Sequence, residues 1–301
     1  MTTDYVAVGS IIIDDIVDPQ ERSNMGMLGG GGSHAVAGMR VWSENTAFVS
    51  TIGEGFPDAA MEHLVSLANG DGILTRPVPQ ARAWQLFEND GTRQEVFRTD
   101  FNLFRQTVIR PAEYPDKFAD AKGVYLQTAT PGEAEAWAIR LKALNPDVIL
   151  LWEPWEIMFA PESLAEFIRV APIFDIISPQ TIELSRMLEE ADPQRQVTRL
   201  FECGVKCLAL RMGGAGSLVG TATQQHHIPA ATATVIDETG AGNAYCGGFV
   251  VGYVESGGDV ALAGQYGTVS ATFTLAQVGV PRLGSGSRVL AERRLKQLTT
   301  K

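Results

Sequence analysis

Residues 237–249 read DETGAGNAYCGGF, a pattern whose small residues and spacing suit the binding of an anion. Gly240, Ala241 and Gly242 close a β-like run, TATVI, and open an apolar stretch, AYCGGFVVGYV. A helix starting there leaves backbone N–H groups unpaired and turns the positive end of its dipole toward whatever binds. The side chain just past the loop is placed to act on a bound phosphoryl group. It is Asn243, an amide that can hold a hydroxyl by a hydrogen bond but cannot take up its proton. A plainer reading is a glycine-rich strand-to-helix turn without a ligand. Against it stand Gly247 and Gly248, which together cost a helix about 2 kcal/mol relative to Ala. Such a cost predicts a close approach, expected here to be against a sheet.

Other candidates are weaker taken alone. Gly29–Gly32 in LGGGGSHAVAGMR (28–40) precede a helical pattern. No Lys-Ser/Thr follows and no GxGxxG is present, so neither a Walker loop nor a dinucleotide fingerprint is expected. The glycines read as a turn before a helix or as a place of close approach to a substrate. Asp14 and Asp15 end an apolar run and suit either a solvated strand exit or a ligand contact. Glu183 alone reads as a surface carboxylate on a helical segment, and His226-His227, ahead of Pro229, as part of an exposed strand. Cys203, Cys207 and Cys246 form no CxxC pair and have apolar neighbours, which predicts buried thiols in a reducing compartment. The four histidines, without HExxH spacing, make a zinc site unexpected.

The elements that must position these residues follow from the hydrophobic pattern. Apolar runs at 5–13, 46–53, 123–128, 147–152, 173–178 and 205–212 alternate with helical patterns such as 132–144, where Ala134, Ala138, Leu141 and Leu144 share a face. That alternation predicts an α/β fold with a mostly parallel sheet covered by helices on both faces. The last third is expected to end in two helices, about 241–255 and 259–277. One segment differs: ARAWQLFENDGTRQEVFRT (81–99) reads as a hairpin turning at Asp90-Gly91, with Trp84, Phe87 and Phe97 in need of a covering surface. It would serve as a lid over a substrate or as a homodimer surface. With 301 residues, 45% hydrophobic and 20% charged, the chain can bury a sizeable core. A net charge of −11 without a basic cluster speaks against nucleic acid and membrane partners. No apolar run spans a bilayer, and MTTDYVAVGS lacks a basic n-region, so a cytoplasmic location is expected.

DETGAGN followed by AYCGGF resembles the DTxGAGD signature of the ribokinase-like (PfkB) carbohydrate kinases. The similarity runs the length of the chain, with further motifs in family order. VAVGSIIID (6–14) is similar to the family's first strand, whose closing Asp, here Asp14, is implied to bind substrate hydroxyls. LGGGGSHAVAGMR sits where the family has a glycine-glycine sugar-binding signature, which implies that Gly30 and Gly31 face the acceptor. The Asn that ends that signature is replaced by Ser33 or His34. SPQTIE (178–183) is similar to PNxxE, with Gln180 for the Asn and Glu183 implied to organise Mg2+ and phosphate through water. LRMGGAGS (210–217) resembles an LGxxG turn, which puts Gly213 and Gly216 on the nucleotide side. ATFTLAQVG (271–279) resembles the helix beside the adenine. Glu153, in WEPWE (152–156), falls at a strand end where relatives carry Asp and would face the nucleotide cleft. Asp237 is implied as a candidate site for a monovalent cation such as K+.

The resemblance implies a single ribokinase-like domain, doubly wound, with a small β lid from about 11–27 and 78–105. It also implies ATP- and Mg2+-dependent phosphorylation of a hydroxyl on a sugar, nucleoside or related polyol. Gly240, Ala241 and Gly242 would form the anion hole, and Asn243 would stand where the family's catalytic base is Asp, as in a divergent branch of that family. Asp14, Asp15 and Asp237 are the carboxylates that could substitute for it. General-base assistance is worth about 10²- to 10⁴-fold, whereas positioning and charge neutralisation carry most of phosphoryl transfer. A slow kinase, a kinase with another base, an altered reaction in the same cleft and a non-catalytic binding protein therefore all remain open at this level.

Overall fold

The computed structural model describes residues 2–88 and 93–299; the expected Asp90-Gly91 turn lies outside them. The apolar run 5–13 does not form one strand. It is cut into β1 (Tyr5–Val8) and β2 (Ile12–Val17), which belong to different sheets. The cause is the docking of α1 (Gly31–Arg40) against the break. A Cβ on Gly9 would lie 2.8 Å from Gly32 Cα. Ser10 O accepts from Gly32 N at 3.2 Å, and Ser10 Oγ from Gly31 N at 3.2 Å. The backbone of one element is thus spent on the start of another.

The remaining strands are β3 (Ser23–Gly29), β4 (Thr46–Glu54), β5 (Asn69–Pro79), β6 (Arg82–Phe87), β7 (Arg93–Phe97), β8 (Gly123–Thr128), β9 (Ile149–Pro154), β10 (Ile176–Ile177), β11 (Leu208–Arg211), β12 (Ser217–Gly220) and β13 (Gln225–Ile228). Among the described residues nine strands form the main sheet in the order β13-β12-β11-β10-β9-β8-β1-β4-β5. Its pairs are parallel except β11/β12 and β12/β13. The second sheet, β3-β2-β6-β7, is built from the two strands that follow the Gly9–Ser10 break together with the hairpin strands.

Helices α2 (Asp58–Leu67), α3 (Phe101–Thr107), α4 (Pro131–Leu144), α5 (Leu164–Val170), α6 (Thr181–Leu188), α7 (Pro193–Glu202), α8 (Ala241–Glu255), α9 (Val260–Leu275) and α10 (Ser287–Thr299) complete the chain. Strand alternation sorts the core into two faces. Tyr5 and Ala7 pack with α1, α2, α8 and α9 residues such as Val36, Leu64, Phe249 and Val269. Val6 and Val8 pack with α4, α5, α6 and α7 residues such as Trp137, Phe167, Leu184 and Leu200. No helix among the described residues is long and apolar enough to cross a membrane.

Two expectations need correction. The chain ends in three helices rather than two: α10 packs Leu290, Ala291, Leu295 and Leu298 against the core, a helical spacing that the charged residues between them obscure. The α8 glycines do not meet a sheet. A Cβ on Gly247 would strike the Ala35 carbonyl of α1, and one on Gly248 would strike Ser270 of α9. Gly38 of α1 answers with an equally close approach to the Ala244 carbonyl. The thiols of Cys207 and Cys246 are buried and that of Cys203 partly so.

The close α1–α8 crossing yields a signed prediction. Gly247→Ala should gain about 1 kcal/mol in helix propensity and lose about 1–3 kcal/mol to overpacking against a backbone carbonyl that has nowhere to go. Urea unfolding should show net destabilisation. Gly132→Ala, in α4 with open space around the added methyl, should be neutral or stabilising; equal gains in both variants would show that the crossing tolerates a Cβ.

Candidate active site

The carboxyl ends of β8, β9 and β11 and the amino ends of α1, α6 and α8 surround a cleft of about 650 Å³, roofed by β2, β6 and β7. Ligands of open α/β sheets bind at such strand ends. At its floor Gly240 caps α8 with φ 74° and ψ 3°, a left-handed conformation natural for glycine. Ala241 N donates to Glu238 O at 3.2 Å and Ala244 N to Gly240 O at 2.9 Å. The amides of Gly242 and Asn243 belong to the open first turn, where a helix leaves its donors to other partners. Side chains would close this cradle: a Cβ on Gly240 would strike the His34 ring, and one on Gly242 the Arg211 guanidinium.

Arg211 ends β11, 7% exposed. Its Nη1 meets Glu153 Oε1 at 2.6 Å, its Nη2 donates to Ser178 O at 2.9 Å, and its Nε has no partner among the described residues. Burial works against its charge, but Glu153, with smaller help from Cys246 and Glu183, keeps its pKa raised. Glu153, 4% exposed, accepts on Oε2 from Tyr125 OH at 2.7 Å and from Asn243 Nδ2 at 3.0 Å. Asn243 Nδ2 also reaches Tyr125 OH at 3.3 Å. Facing these oxygens with its NH2 group, Asn243 has its amide oxygen free of that network. The amide orientation is the one this network demands.

The residues expected on the acceptor side stand around the same cleft. Asp14, Gly30, Gly31 and His34 line it, whereas Ser33 is buried behind it, its hydroxyl without a partner among the described residues. Burial lowers the His34 pKa to about 3, so the ring is neutral, and neither nitrogen has a partner among the described residues. Asp14 accepts from Gln85 Nε2 at 3.0 Å, and burial raises its pKa to about 7. Gln85 in turn donates to Glu95 at 2.7 Å and accepts from Arg93 at 3.2 Å. Phe87, Phe97, Phe101, Phe104 and Trp155 add an aromatic wall, within which the Phe104 and Trp155 rings are nearly parallel at 4°. Trp84 is on the other face of the hairpin, under the Arg98 guanidinium at 5.0 Å.

Of the carboxylates that could replace a base at 243, two are occupied elsewhere. Asp15 pairs with Arg82 at 2.8 Å and with Arg98, and accepts from Gly26 N at 2.8 Å. Asp237 ties its own loop, accepting from Thr239 N and Gly279 N, both at 2.9 Å. Neither lines the cleft, and nor do Ala241, Gly213 or Gly216; the last two shape the turn between β11 and β12. Gln180 and Glu183 do line it. Glu183 Oε2 accepts from Gln180 N at 2.7 Å, and burial, opposed by Arg211, raises its pKa to about 7. No trio of His, Cys, Asp or Glu among the described residues forms a metal-binding group. Mg2+ needs few protein ligands where phosphates and water supply the rest, so Glu183 fits an indirect hold on it. Tyr125, Arg211 and the Gln85–Arg93 chain were not legible as site residues. A lone Arg closing the apolar LALR strand was the available signal for Arg211.

Two buried carboxyls with raised pKa values impose a pH dependence. Asp14 and Glu183 hold protons more tightly in the folded than in the unfolded chain. The stability this confers is complete below about pH 4 and is lost as pH rises through about 7. Thermal melts between about pH 5 and about pH 8 should therefore show a smaller fall for Asp14→Asn than for the unaltered protein. Identical slopes would show that Asp14 is not desolvated.

Comparison with known proteins agrees with this arrangement. Residues 2–282 match the family described as pfkB family carbohydrate kinase. The cytidine kinase of Thermococcus kodakarensis is 24% identical, over 83% of this chain and 88% of its own. The ribokinase of Staphylococcus aureus is 23% identical over 96% and 100%. The structure of a Burkholderia thailandensis nucleoside kinase in complex with ADP-inosine superposes with a TM-score of 0.78 at 17% identity, covering 99% of this chain and 96% of that one. With the fold, the cradle and the match over nearly its whole length in agreement, the chain belongs to the pfkB family of carbohydrate kinases.

Proposed function

We propose that this protein transfers the γ-phosphoryl group of ATP, with Mg2+, to a hydroxyl of a nucleoside. The observation that carries the reading is the cradle at Gly240–Asn243, with the Arg211 guanidinium against Gly242. Backbone donors, a helix dipole and a buried cation converge on one point, which suits the charge that develops on a transferring phosphoryl group. Mg2+, held through water by Glu183 with Gln180 beside it, would supply the remaining neutralisation when bound. Asp14, Gly30, Gly31 and neutral His34 would orient the acceptor, and the Asn243 amide oxygen would receive its hydroxyl. Gly213 and Gly216 would shape the nucleotide side.

The aromatic wall favours a nucleoside over a bare sugar. A ribose needs hydroxyl partners, which the Asp14 side supplies; it has no use for five aromatic rings. A base offers a flat face to stack, and such contacts contribute about 0.5–1.5 kcal/mol each. The cytidine kinase and the nucleoside kinase among the relatives support the same choice. A non-catalytic binding protein is the rival reading, and Asn243 is the feature that favours it.

Two outcomes follow. Millimolar ATP–Mg2+ should raise the melting temperature, since a ligand at about 100 times its Kd stabilises by about 2.7 kcal/mol. Gly242→Ala should remove that shift while the protein still melts cooperatively. No shift in the unaltered protein would defeat both the kinase and the nucleotide-binding readings. In ADP-release assays a nucleoside should be turned over in preference to ribose. Phe101→Ala should raise the nucleoside KM by about 3- to 10-fold and leave the ATP KM unchanged, the scale of one lost aromatic contact. Preference for ribose, with Phe101→Ala silent, would return the acceptor to the sugars; ATP shifts without any turnover would favour the binding protein.

A further inference from the structure

We infer that Glu153 is the carboxylate that takes the acceptor's proton, one hydrogen bond removed from the position where Asn243 stands. The inference rests on the kinase reading above. A base in this role needs an ionisable oxygen in the cleft, within direct or one-water reach of the acceptor hydroxyl. Among the carboxylates weighed for the role, Asp15 and Asp237 are tied up outside the cleft, and Asp14, bound by Gln85 Nε2 at 3.0 Å, is the residue assigned above to orient the acceptor. Glu153 lines the cleft beside the cradle, and its Oε2 is 3.0 Å from the Asn243 amide nitrogen. Each of the three side chains bonded to that carboxylate is a donor to it: Arg211 of β11 pairs with Oε1, and Tyr125 of β8 and Asn243 of α8 donate to Oε2. The other titratable groups near this cluster are Cys246, held neutral by burial, Glu183, which accepts from Gln180 N, and Glu156, which pairs with Arg186 at 2.6 Å.

The geometry also explains why position 243 holds an amide. Asp there would set a second carboxylate at hydrogen-bond distance from Glu153, and like charges so close cannot both be ionised. Asn supplies the donor that Glu153 needs and keeps an acceptor oxygen for the substrate. In the reaction the hydroxyl oxygen bonds to the γ-phosphorus and the bond to the ADP oxygen breaks. The hydroxyl leaves the Asn243 amide oxygen, and its proton passes through one water to Glu153 Oε2 as that oxygen gives up its hydrogen bond from Asn243 Nδ2.

The test is a carboxylate swap, read as kcat and as the ATP–Mg2+ dissociation constant for each variant. Glu153→Gln should lower kcat by about 10²-fold or more while ATP affinity changes by about threefold or less. Asn243→Asp alone should not raise kcat, because the pair of carboxylates would share a proton. Glu153→Gln combined with Asn243→Asp should recover at least about tenfold of the loss, since it returns a single carboxylate to the cleft. Should Glu153→Gln fail to fold, Glu153→Asp keeps the charge beside Arg211 but withdraws it by one carbon, and should lower kcat without affecting ATP binding. Undiminished kcat in Glu153→Gln or Glu153→Asp would overturn the assignment. So would a large gain from Asn243→Asp alone, or a double variant no faster than Glu153→Gln. Absence of phosphoryl transfer by the unaltered protein would instead overturn the kinase reading, and this assignment with it.

Discussion

The Arg211–Glu153 ion pair beneath the Gly240–Asn243 cradle is the constraint around which the rest of the site is arranged. Burying both charges is expensive, and the pair is tolerable only if its remaining donors and lone pairs are satisfied. Ser178 O takes one guanidinium nitrogen, and Tyr125 and Asn243 take the second carboxylate oxygen, which leaves Arg211 Nε without a partner among the described residues. Breaking such a pair from one side costs about 3–5 kcal/mol because it strands the other charge. The residue types at 125, 153, 211 and 243 are therefore coupled. An amide at 243 is best understood within that set, as the donor that a neighbouring carboxylate requires, rather than as the loss of an acid.

Helix packing converts this local network into a working cleft. The backbones of α1 and α8 approach closely through Gly38 and Gly247, each of which would collide with a carbonyl of the other helix if it carried a Cβ. That crossing brings the two amino ends together, so His34 of α1 rests against Gly240 at the start of α8. Gly30 and Gly31 ahead of α1 and the cradle at the start of α8 are thus held by one close helix crossing. The second sheet brings Asp14 and the aromatic side chains over it from the far side of the Gly9–Ser10 break.

The parts of this arrangement that were legible in the sequence are those written in contiguous residues. An anion cradle made of backbone amides needs small side chains in a row, and DETGAGN displays them; parallel strands buried on both faces show as unbroken apolar runs. The Arg211–Glu153–Tyr125–Asn243 network was opaque as a network because four separate elements contribute one side chain each; Asn243 and Glu153 stood out singly, but nothing in either segment joined them. β5 was missed because NGDGILTRPVP, a half-exposed edge strand, is interrupted by Gly, Asp and Pro. The strand predicted over 5–13 was one strand too few, since apolar character continues through a break that is imposed by a helix arriving from later in the chain.

Single-turnover transfer with the protein in excess over γ-labelled ATP, in the presence of Mg2+ and a mixture of nucleosides, tests the central claim most directly. It registers the chemical step even where steady-state turnover is slow. The account predicts label in a nucleoside monophosphate, in amount matching the ATP bound. Label that stays in ATP, or appears only as inorganic phosphate, would contradict it.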